Sequence, residues 1–230
     1  MKKKILIVFG GVSSEHDVSL VSASNVIKNI SKEKYDTVMM GITKDGESFV
    51  FTGNPDLLPN DKWFEQKDCL VKAIISPDRL HHGIVYLKTG AIERIDCVFP
   101  VLHGKNGEDG TIQGLLELAG IPFVGCDHTS SCVCMDKTLT NTLADYFGFL
   151  QAKWTGTNRF DYYLNPDEFI NEAQDKLGYP VFVKPACAGS SVGISKAYCR
   201  EELIKACEEA LEYDNKILCE QTIVGREIEC

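Results

Sequence analysis

Four short stretches carry side chains whose types and spacing could do chemistry. The first, residues 10–19, reads Gly-Gly-Val-Ser-Ser-Glu-His-Asp-Val-Ser and follows an apolar run. A turn from a strand into a helix presents backbone N–H groups and the positive end of a helix, which suits an anion. Glu15 in such a turn could hold an ammonium group or act as a base. Alternatively, Ser13 or Ser14 caps the helix, while Glu15 or Asp17 favours its dipole.

The second stretch, residues 103–110, reads His-Gly-Lys-Asn-Gly-Glu-Asp-Gly. It has three glycines in eight residues. It follows a predicted strand and precedes a predicted helix, which is where open α/β sheets form their ligand crevice. His103 could donate a hydrogen bond to an anionic substrate or intermediate. A turn with solvated charges and a helix-capping Asp109 fits the same residues.

The third stretch begins at Lys184, at the end of a predicted strand, and continues as Pro-Ala-Cys-Ala-Gly-Ser-Ser-Val-Gly. A lysine followed by a Gly-Ser-Ser loop could clamp a phosphate, because the lysine supplies charge while hydroxyl and N–H groups surround the oxygens. The stretch does not have the Walker A pattern, so it is not the usual nucleotide motif. A mobile surface hairpin is the alternative.

The fourth stretch contains Glu220 and Glu227, seven residues apart with the apolar Ile223 between them. One carboxylate could contact a ribose and the other an amino group or a metal. Taken alone, the stretch also fits an edge strand with solvated acids. Lys137, in Met135-Asp136-Lys137, would be a helix-surface lysine in most proteins.

The elements that must position these stretches follow from apolar patterning. Residues 3–9, 18–30 and 35–42 are predicted as strand, helix and strand, which make a right-handed parallel βαβ unit. An Asp-Gly turn follows at 44–47, and residues 54–94 yield only two or three strand-like pieces. Further strands are predicted at 70–75, 84–87, 97–102, 122–124, 181–185, 194–198 and 216–220, and helices at 112–118, 129–135, 137–147, from 166, and at 201–212. The pattern changes around Gly125-Cys126-Asp127, where we predict a domain boundary.

Composition narrows the class of protein. The 230 residues include 24 Lys and Arg against 33 Asp and Glu, a net charge of −9, which argues against a nucleic-acid partner. A content of 44% hydrophobic and 25% charged residues excludes a disordered or fibrous chain.

The ten cysteines show no C-x-x-C pair, so we expect reduced thiols. No apolar run reaches the ~18 residues of a membrane helix, and residues 5–9 are too short for a secretory signal. We therefore expect a cytoplasmic protein without a membrane partner.

Taken in order, the motifs resemble those of the D-alanine–D-alanine ligase family, in the ATP-grasp superfamily. The order is Gly-Gly-x-Ser-x-Glu-x-x-Val-Ser, His-Gly-x-x-Gly-Glu-Asp-Gly-x-Ile-Gln-Gly, Met-Asp-Lys, then Lys-Pro with Gly-Ser-Ser-x-Gly. The segment from Phe99 to Cys126 is most similar to the variant ligases of vancomycin resistance, particularly those that make D-alanyl-D-serine. The resemblance runs from about residue 4 to residue 230 and is weakest across 45–95.

The resemblance implies an α/β fold. An N-terminal open parallel-sheet domain would occupy 1–125, and a central α+β ATP-grasp subdomain would occupy 126–219. Residues 220–230 would begin a C-terminal ATP-grasp domain, of which the rest is missing. We therefore expect a truncated chain or a fragment of a ligase of ~340–350 residues, the size of a protein with one more domain. Alone, it should keep its fold and show little turnover.

For catalysis, the resemblance implies roles for Glu15, His103 and Ser190. Glu15 would bind the ammonium group of the first D-alanine and orient its carboxylate, with support from Ser190. His103 would lie near that carboxylate and near the acyl phosphate.

For ATP, the resemblance implies that Lys137 and Lys184 hold the phosphates. The loop that closes over them would contain Ser190, Ser191 and Gly193. Glu220 would face the adenine amino group and Glu227 would take the ribose hydroxyls. Backbone contacts to the base would come from Gln221, Thr222 and Ile223.

The implied activity joins D-alanine to a second D-amino acid, D-alanine or D-serine, through a D-alanyl phosphate. It would serve peptidoglycan precursor synthesis or glycopeptide resistance. ATP and Mg²⁺ are the implied cofactors, but no metal ligand is expected in this chain, because the family's magnesium ligands lie in the C-terminal domain. A homodimer is also implied. In the loop, Cys187-Ala188 departs from the Arg or Glu that many relatives carry before Gly-Ser-Ser.

Two other interpretations remain open at this point. One is another ATP-grasp carboxylate–amine ligase, such as a dipeptide ligase or a biotin-dependent carboxylation enzyme. The other is a non-catalytic ATP-binding remnant. The Glu15 loop favours the D-alanine interpretation, because it belongs to an amino-acid site rather than to a nucleotide site. Whether the acceptor is D-alanine, D-serine or D-lactate stays open.

Overall fold

The structure is a computed structural model that describes residues 2–189, 192–226 and 228. It consists of two compact units, Met1–Cys132 and Val133–Cys230. The domain bounds expected from the sequence stay a prediction.

Unit 1 is built on a seven-stranded sheet with the order β6-β5-β4-β3-β2-β1-β7. Its helices are α1 (His16–Asn29) and α2 (Thr111–Ala119), and α3 (His128–Met135) follows them along the chain. The strands are β1 (Lys3–Gly10), β2 (Tyr35–Ile42), β3 (Ser48–Phe51), β4 (Leu70–Ile75), β5 (Gly83–Tyr86), β6 (Ile92–Arg94) and β7 (Cys97–Pro100). Short helical turns lie at Pro55–Leu57, Lys62–Glu65 and Lys67–Cys69.

Parallel pairing is confined to three strands of this sheet. β1 pairs in parallel with β2 on one side and with β7 on the other. From β2 outward to β6, every pair is antiparallel. The α/β class and the β1-α1-β2 unit are therefore confirmed, and the sheet as a whole is mixed rather than parallel.

The core of unit 1 explains why β1 is apolar at every position from 5 to 9. Ile5, Ile7 and Phe9 face a cluster that includes Leu20 of α1 and the fully buried Trp63. The alternate side chains of β1 face the second cluster, together with residues of α2. A strand covered on both faces has no solvent-facing position, so its sequence does not alternate.

Unit 2 is built on a four-stranded antiparallel sheet with the order β10-β9-β11-β8. Its strands are β8 (Trp154–Asn158), β9 (Val181–Pro185), β10 (Ser195–Ala197) and β11 (Lys216–Gln221). Its helices are α4 (Lys137–Tyr146), α5 (Arg159–Leu164), α6 (Pro166–Leu177) and α7 (Arg200–Tyr213). The sequence did not predict β8 or α5.

One face of this second sheet is covered by α6 and α7, and the other carries the candidate site. Val181 and Val183 are buried among residues of those helices, while the intervening Phe182 and Lys184 point to the opposite face. On β11, Glu220 is opposite Phe182 in the register and shares that face. The alternation of the two strands therefore brings Lys184 and Glu220 to one surface.

Helices of membrane-spanning length and apolarity do not occur in the part of the chain that the structure describes.

Candidate functional site

The loop after β1 is pressed against the end of β2. Gly10 has a φ of +85° and Gly11 a φ of +97°, a region that side chains disfavour. A Cβ on Gly10 would overlap the carbonyl oxygen of Ile42, and the N–H of Gly11 donates to that same oxygen at 2.8 Å. Both glycines are therefore required by the backbone path.

Buried Ser19 of α1 fastens this loop to the neighbouring parallel strand. Its Oγ accepts a hydrogen bond from the N–H of Gly10 at 2.8 Å and donates to the carbonyl oxygen of Val101. The start of α1 is thereby fixed against the carboxyl ends of β1 and β7. Sequence reasoning included Ser19 in the first motif but gave it no role.

Glu15 occupies the N-cap position of α1, and its N–H donates to Ser13 Oγ at 3.0 Å. Ser13 thus accepts a hydrogen bond from the residue at the helix start, which differs from the capping role that the sequence offered as an alternative. A Cβ on Gly104 would overlap Glu15 Oε2. The carboxylate of Glu15 therefore lies against the backbone of the second motif, as expected for two loops at the ends of adjacent parallel strands.

His103 is held at both ring nitrogens. Nε2 lies 3.2 Å from Ser22 Oγ, on α1, and Nδ1 lies 3.4 Å from Glu108 Oε1. The other oxygen of Glu108 accepts from the N–H of Gly104 at 2.9 Å. Glu108 therefore fixes both the ring of His103 and the backbone beside Glu15. Sequence reasoning did not assign Ser22 or Glu108, although Glu108 belongs to the second motif.

Hydrogen bonds also fix the rest of this loop. Burial opposes ionisation of Asp109, but hydrogen bonds from Asn106 and Thr111 outweigh it and hold its pKa below the usual range. Asp109 Oδ1 accepts from the N–H of Thr111, in the first turn of α2, at 3.0 Å. A cavity of about 230 Å³ adjoins the loop. Its walls include Gly10, Gly11, Leu102, His103, Ile112 and Leu115.

In unit 2, Lys137 begins α4, and its side chain is directed into the loop after β9. Its Nζ donates to the carbonyl oxygens of Ala188 at 2.7 Å and Ala186 at 3.3 Å. Burial is the main cause that lowers the pKa of Lys137, and the charge of Lys184 adds to the effect. Lys137 is therefore not the solvated surface lysine that its helical position alone would indicate.

Lys184 and Glu220 form an ion pair across β9 and β11, with side chains that are 24% and 18% exposed. Asn141 Nδ2, from α4, donates to the second carboxylate oxygen of Glu220 at 3.0 Å. The sequence predicted Lys184 at the phosphates and Glu220 at the base, and it predicted neither this pair nor Asn141. The two residues are separated by 36 positions, so only the register of the sheet reveals their contact.

The loop after β9 is only partly described. Gly193 has a φ of +68°, and a Cβ there would lie 2.6 Å from Tyr213 and 2.8 Å from Pro185. The N–H of Cys187 donates to Asp214 Oδ2 at 2.6 Å. Ser190 and Ser191 lie outside the described residues, so their predicted contacts with phosphate and with Glu15 stay predictions.

The end of β11 and the residues after it contain the predicted contacts to the base. The N–H of Gln221 donates to the carbonyl oxygen of Lys153 at 2.8 Å, and Ile223 is exposed. The hydroxyl of Thr222 is buried and has no hydrogen-bond partner among the described residues. Glu227 lies outside the described residues.

Comparison with known proteins decides the family. The model described as "D-ala D-ala ligase N-terminus" matches residues 4–126, and the model described as "D-ala D-ala ligase C-terminus" matches residues 143–230. The chain belongs to the D-alanine–D-alanine ligase family. The resemblance carried by the motifs is thereby confirmed.

Members of this family match the chain over its whole length. A D-alanine–D-alanine ligase of Caldicellulosiruptor bescii is 48% identical over 100% of the chain and 62% of its own length. The corresponding ligase of Clostridium acetobutylicum is also 48% identical, over 100% of the chain and 63% of its own length. The chain thus spans less than two thirds of the length of these relatives.

A solved structure gives the same result for the fold. The VanG D-Ala:D-Ser ligase of Enterococcus faecalis matches with a TM-score of 0.91 and 44% identity, over 98% of this chain and 64% of that one. The D-alanine–D-alanine ligase of Coxiella burnetii matches with a TM-score of 0.86 and 31% identity, over 98% of this chain and 65% of that one. Both acceptor types therefore occur among the relatives.

The groups in unit 2 fit a nucleotide triphosphate better than they fit its metal. Lys137 and Lys184 supply two ammonium groups whose charges interact, as the phosphates of a nucleoside triphosphate require. Magnesium prefers several oxygen ligands, carboxylates above all, and no three Asp, Glu, His or Cys side chains come together as potential ligands among the described residues of unit 2. No catalytic step is therefore assigned to a metal held by these residues.

Proposed function

We propose that the whole protein joins D-alanine to a second D-amino acid, D-alanine or D-serine, with ATP as the source of energy. The observation that carries this proposal is the match of both family domains, in order, across residues 4–126 and 143–230. The product would serve peptidoglycan precursor synthesis or glycopeptide resistance. Because the chain spans 62% of a relative such as the C. bescii ligase, the activity is proposed for the protein that contains it.

In unit 1, Glu15 would bind the ammonium group of the first D-alanine. The carboxylate of Glu15 lies against Gly104, whose N–H donates to Glu108. The surroundings of this carboxylate are therefore already in place before the substrate binds. His103 would hydrogen-bond the D-alanine carboxylate or the phosphate that forms on it. Its ring is oriented by Ser22 and Glu108, which reduces the entropy lost on binding.

In unit 2, Lys137 and Lys184 would hold the phosphates of ATP. The pair between Lys184 and Glu220 neutralises both groups, and ATP offers each a replacement partner: phosphate oxygens for the ammonium group and the adenine amino group for the carboxylate. Gln221, Thr222 and Ile223 would contact the base, and Glu227 the ribose. The loop with Ser190, Ser191 and Gly193 would exclude water from the acyl phosphate.

The chemistry follows from these groups. A carboxylate oxygen of D-alanine attacks the γ-phosphorus, ADP leaves, and a D-alanyl phosphate forms. The amine of the second D-amino acid then attacks the acyl carbon, and inorganic phosphate leaves. Ammonium groups stabilise the charge that develops on the transferred phosphoryl group. Magnesium, when bound by residues outside this chain, would supply the same kind of neutralisation.

A cytoplasmic location and a homodimer belong to the same proposal, since both are implied by the family resemblance. Light scattering on the purified protein tests the homodimer. A monomer at every concentration would remove it from the proposal without affecting the activity.

The direct test uses a fusion, hereafter the joined ligase. It consists of this 230-residue chain followed by the C-terminal part of the C. bescii ligase that the chain does not match. We expect it to release phosphate from ATP only with D-alanine present, and to form a dipeptide detected by mass spectrometry. The 230-residue chain alone should show little turnover, and the intact C. bescii ligase serves as the positive control.

The outcomes separate the interpretations left open by the sequence. A folded joined ligase that binds ATP without D-alanine-dependent turnover would indicate a non-catalytic remnant. Turnover with carboxylates or amines other than D-amino acids would indicate another ATP-grasp ligase. Parallel reactions with D-alanine, D-serine and D-lactate identify which acceptors the joined ligase uses.

A further inference from the structure

We propose that His16, Asp17 and Asp61 form a binding site for a divalent transition-metal ion in unit 1, separate from the ligase chemistry. In the part of the chain that the structure describes, these residues make the one cluster in which three potential ligand atoms lie within 4.8 Å of one another. The ligase function proposed above does not require this site.

The imidazole of His16 has the arrangement of a metal ligand. The side chain is 2% exposed, and Nδ1 lies 2.7 Å from the carbonyl oxygen of Gly11. Because a carbonyl only accepts, Nδ1 carries the hydrogen, so the form of the ring that can bind a metal has its lone pair at Nε2. Metal-bound histidines are usually oriented by such a hydrogen bond from the other nitrogen. Nε2 is buried and has no hydrogen-bond partner among the described residues.

Nε2 of His16 faces a carboxylate. Nε2 lies 3.6 Å from Asp61 Oδ1, which exceeds the usual length of an N–H···O hydrogen bond, about 2.7–3.2 Å. If a cation lay between the two atoms, with a bond of about 2.1 Å to each, the angle between the two bonds at the cation would be roughly 120°. That angle lies in the range that a tetrahedral or expanded zinc site adopts.

Asp61 is held in place by the core. Its Oδ1 accepts from Trp63 Nε1 at 3.0 Å, and Trp63 is fully buried, with its ring 5.3 Å from that of Phe9. The acceptor that faces His16 therefore has a fixed position. The side chains of Asp17 and Asp61 are 73% and 41% exposed, which leaves a path for an ion from solvent.

Lys44 is the competitor for this site. Its Nζ lies 3.0 Å from Asp17 Oδ1 and 3.9 Å from Asp61 Oδ2. The side chain is 58% exposed, so it can turn into solvent when an ion takes its place. Removing the ammonium group should therefore strengthen metal binding, because both carboxylates and the imidazole would then lack a competing cation.

The donor set selects the class of ion. One imidazole nitrogen and two carboxylate oxygens suit Zn²⁺, Co²⁺ or Mn²⁺, whereas Mg²⁺ and Ca²⁺ favour all-oxygen sites. Excess Mg²⁺ should not displace the ion.

The test titrates Co²⁺ into the tag-free 230-residue chain after its accessible thiols have been alkylated, since the exposed Cys126, Cys132 and Cys134 are free and could bind metal themselves. Visible absorption reports coordination, and long-range ¹H–¹⁵N spectra of the histidine rings report Nε2 of His16 when Zn²⁺ is added. We expect one ion per chain, a shift of that Nε2 resonance, and persistence of both in excess Mg²⁺. Lys44→Gln should tighten binding, and Asp61→Asn should weaken it, each by about ten-fold or more.

Folding of each variant is checked by its thermal unfolding. If Asp61→Asn does not fold, the exposed Asp17→Asn replaces it and should weaken binding in the same direction. Equal affinity in wild type and the aspartate variant would overturn the proposal, as would no gain in Lys44→Gln or an unshifted Nε2 of His16. None of these readouts depends on ligase activity, so the result stands apart from the proposed function.

Discussion

The charged candidate residues are already engaged by neighbours in the protein. Lys184 is paired with Glu220, Lys137 donates to two loop carbonyls, and His103 is held at both ring nitrogens. A substrate must therefore replace existing partners rather than meet solvated groups. A substitution at one of these positions therefore affects stability as well as binding, because it also removes the hydrogen-bond or ion-pair partner of a neighbouring group.

Glu15→Gln in the joined ligase should raise the KM for the first D-alanine by roughly ten- to 100-fold, because one charge-assisted hydrogen bond is lost. The KM for ATP should change little. Asp17→Asn, two residues further along the same helix start, is the matched control and should alter neither constant. Equal increases in both constants for Glu15→Gln would contradict its assignment to the ammonium group.

Lys184→Met should weaken ATP binding by about ten-fold or more, and should leave the KM for D-alanine unchanged. The same change leaves the half-buried carboxylate of Glu220 without its partner, which lowers stability. Calorimetric titration with ATP and thermal unfolding separate the two effects.

The double variant Lys184→Met/Glu220→Gln is the control for this loss. Neutralising the carboxylate should restore part of the melting temperature but not the ATP affinity. If the double variant regained normal ATP affinity, the lysine would be a structural partner of Glu220 and not a phosphate ligand.

Lys137 should take up protons when ATP binds at alkaline pH. Burial holds the pKa of this lysine below its ordinary 10.5. At a pH just below 10.5, a larger fraction of its side chain is therefore neutral than in an ordinary lysine. Phosphate favours the charged form, so bound ATP raises the pKa of Lys137, and the protein gains protons as the pH approaches 10.5 but not near neutral pH. Calorimetry in two buffers of different ionisation enthalpy measures this uptake. Uptake that persists in Lys137→Met would assign it to another group.

At the scale of elements, tight turns position the site. Gly10 and Gly90 both have positive φ, +85° and +71°. A Cβ on Gly10 would overlap the carbonyl oxygen of Ile42, whereas nothing lies within 4 Å of a Cβ on Gly90. Comparing the two separates backbone strain from the close approach of β2.

Gly90→Ala should therefore lower the free energy of unfolding by about 1–2 kcal/mol, the cost of a left-handed residue. Gly10→Ala should lower it by about 3 kcal/mol or more, because the strand end must also move. Urea unfolding of the 230-residue chain measures both. Equal losses would show that the contact with β2 does not constrain the loop.

Elements with a dense or periodic apolar pattern could be predicted from the sequence, and several short elements without such a pattern could not. β1, α1 and β2 were predicted because their apolar residues are dense or periodic. β6 has no buried position, and β8, Trp-Thr-Gly-Thr-Asn, has a single one. α5 has six residues and exposes Phe160 and Leu164. Such elements are stabilised by pairing with distant strands, which a local pattern does not contain.

The same distinction applies to the candidate site. Glu15 and His103 of the second motif were placed at one substrate by the family resemblance, and the structure brings the two loops together because β1 and β7 are adjacent parallel strands. The contact of Ser22 with His103, 81 residues away, depends on how α1 packs across that edge. The pair of Lys184 with Glu220 depends on strand register. Motifs therefore predicted which loops matter, and only packing showed which side chains position them.

At the scale of the whole molecule, a chain with a net charge of −9 is proposed to bind a polyanion. Such binding relies on the local ammonium groups of Lys137 and Lys184 rather than on the overall field. The central claim of the proposed function is that the γ-phosphoryl group of the bound ATP is transferred to the carboxylate of D-alanine and not to water.

Transfer of oxygen-18 tests that claim most directly. D-alanine labelled with ¹⁸O in its carboxylate is supplied to the joined ligase with unlabelled ATP, and the released phosphate is examined by ³¹P NMR. The attacking carboxylate oxygen stays on phosphorus when the acyl phosphate collapses, so each phosphate should carry one ¹⁸O. Phosphate without label, released at the same rate, would mean that water attacks ATP and that no D-alanyl phosphate forms.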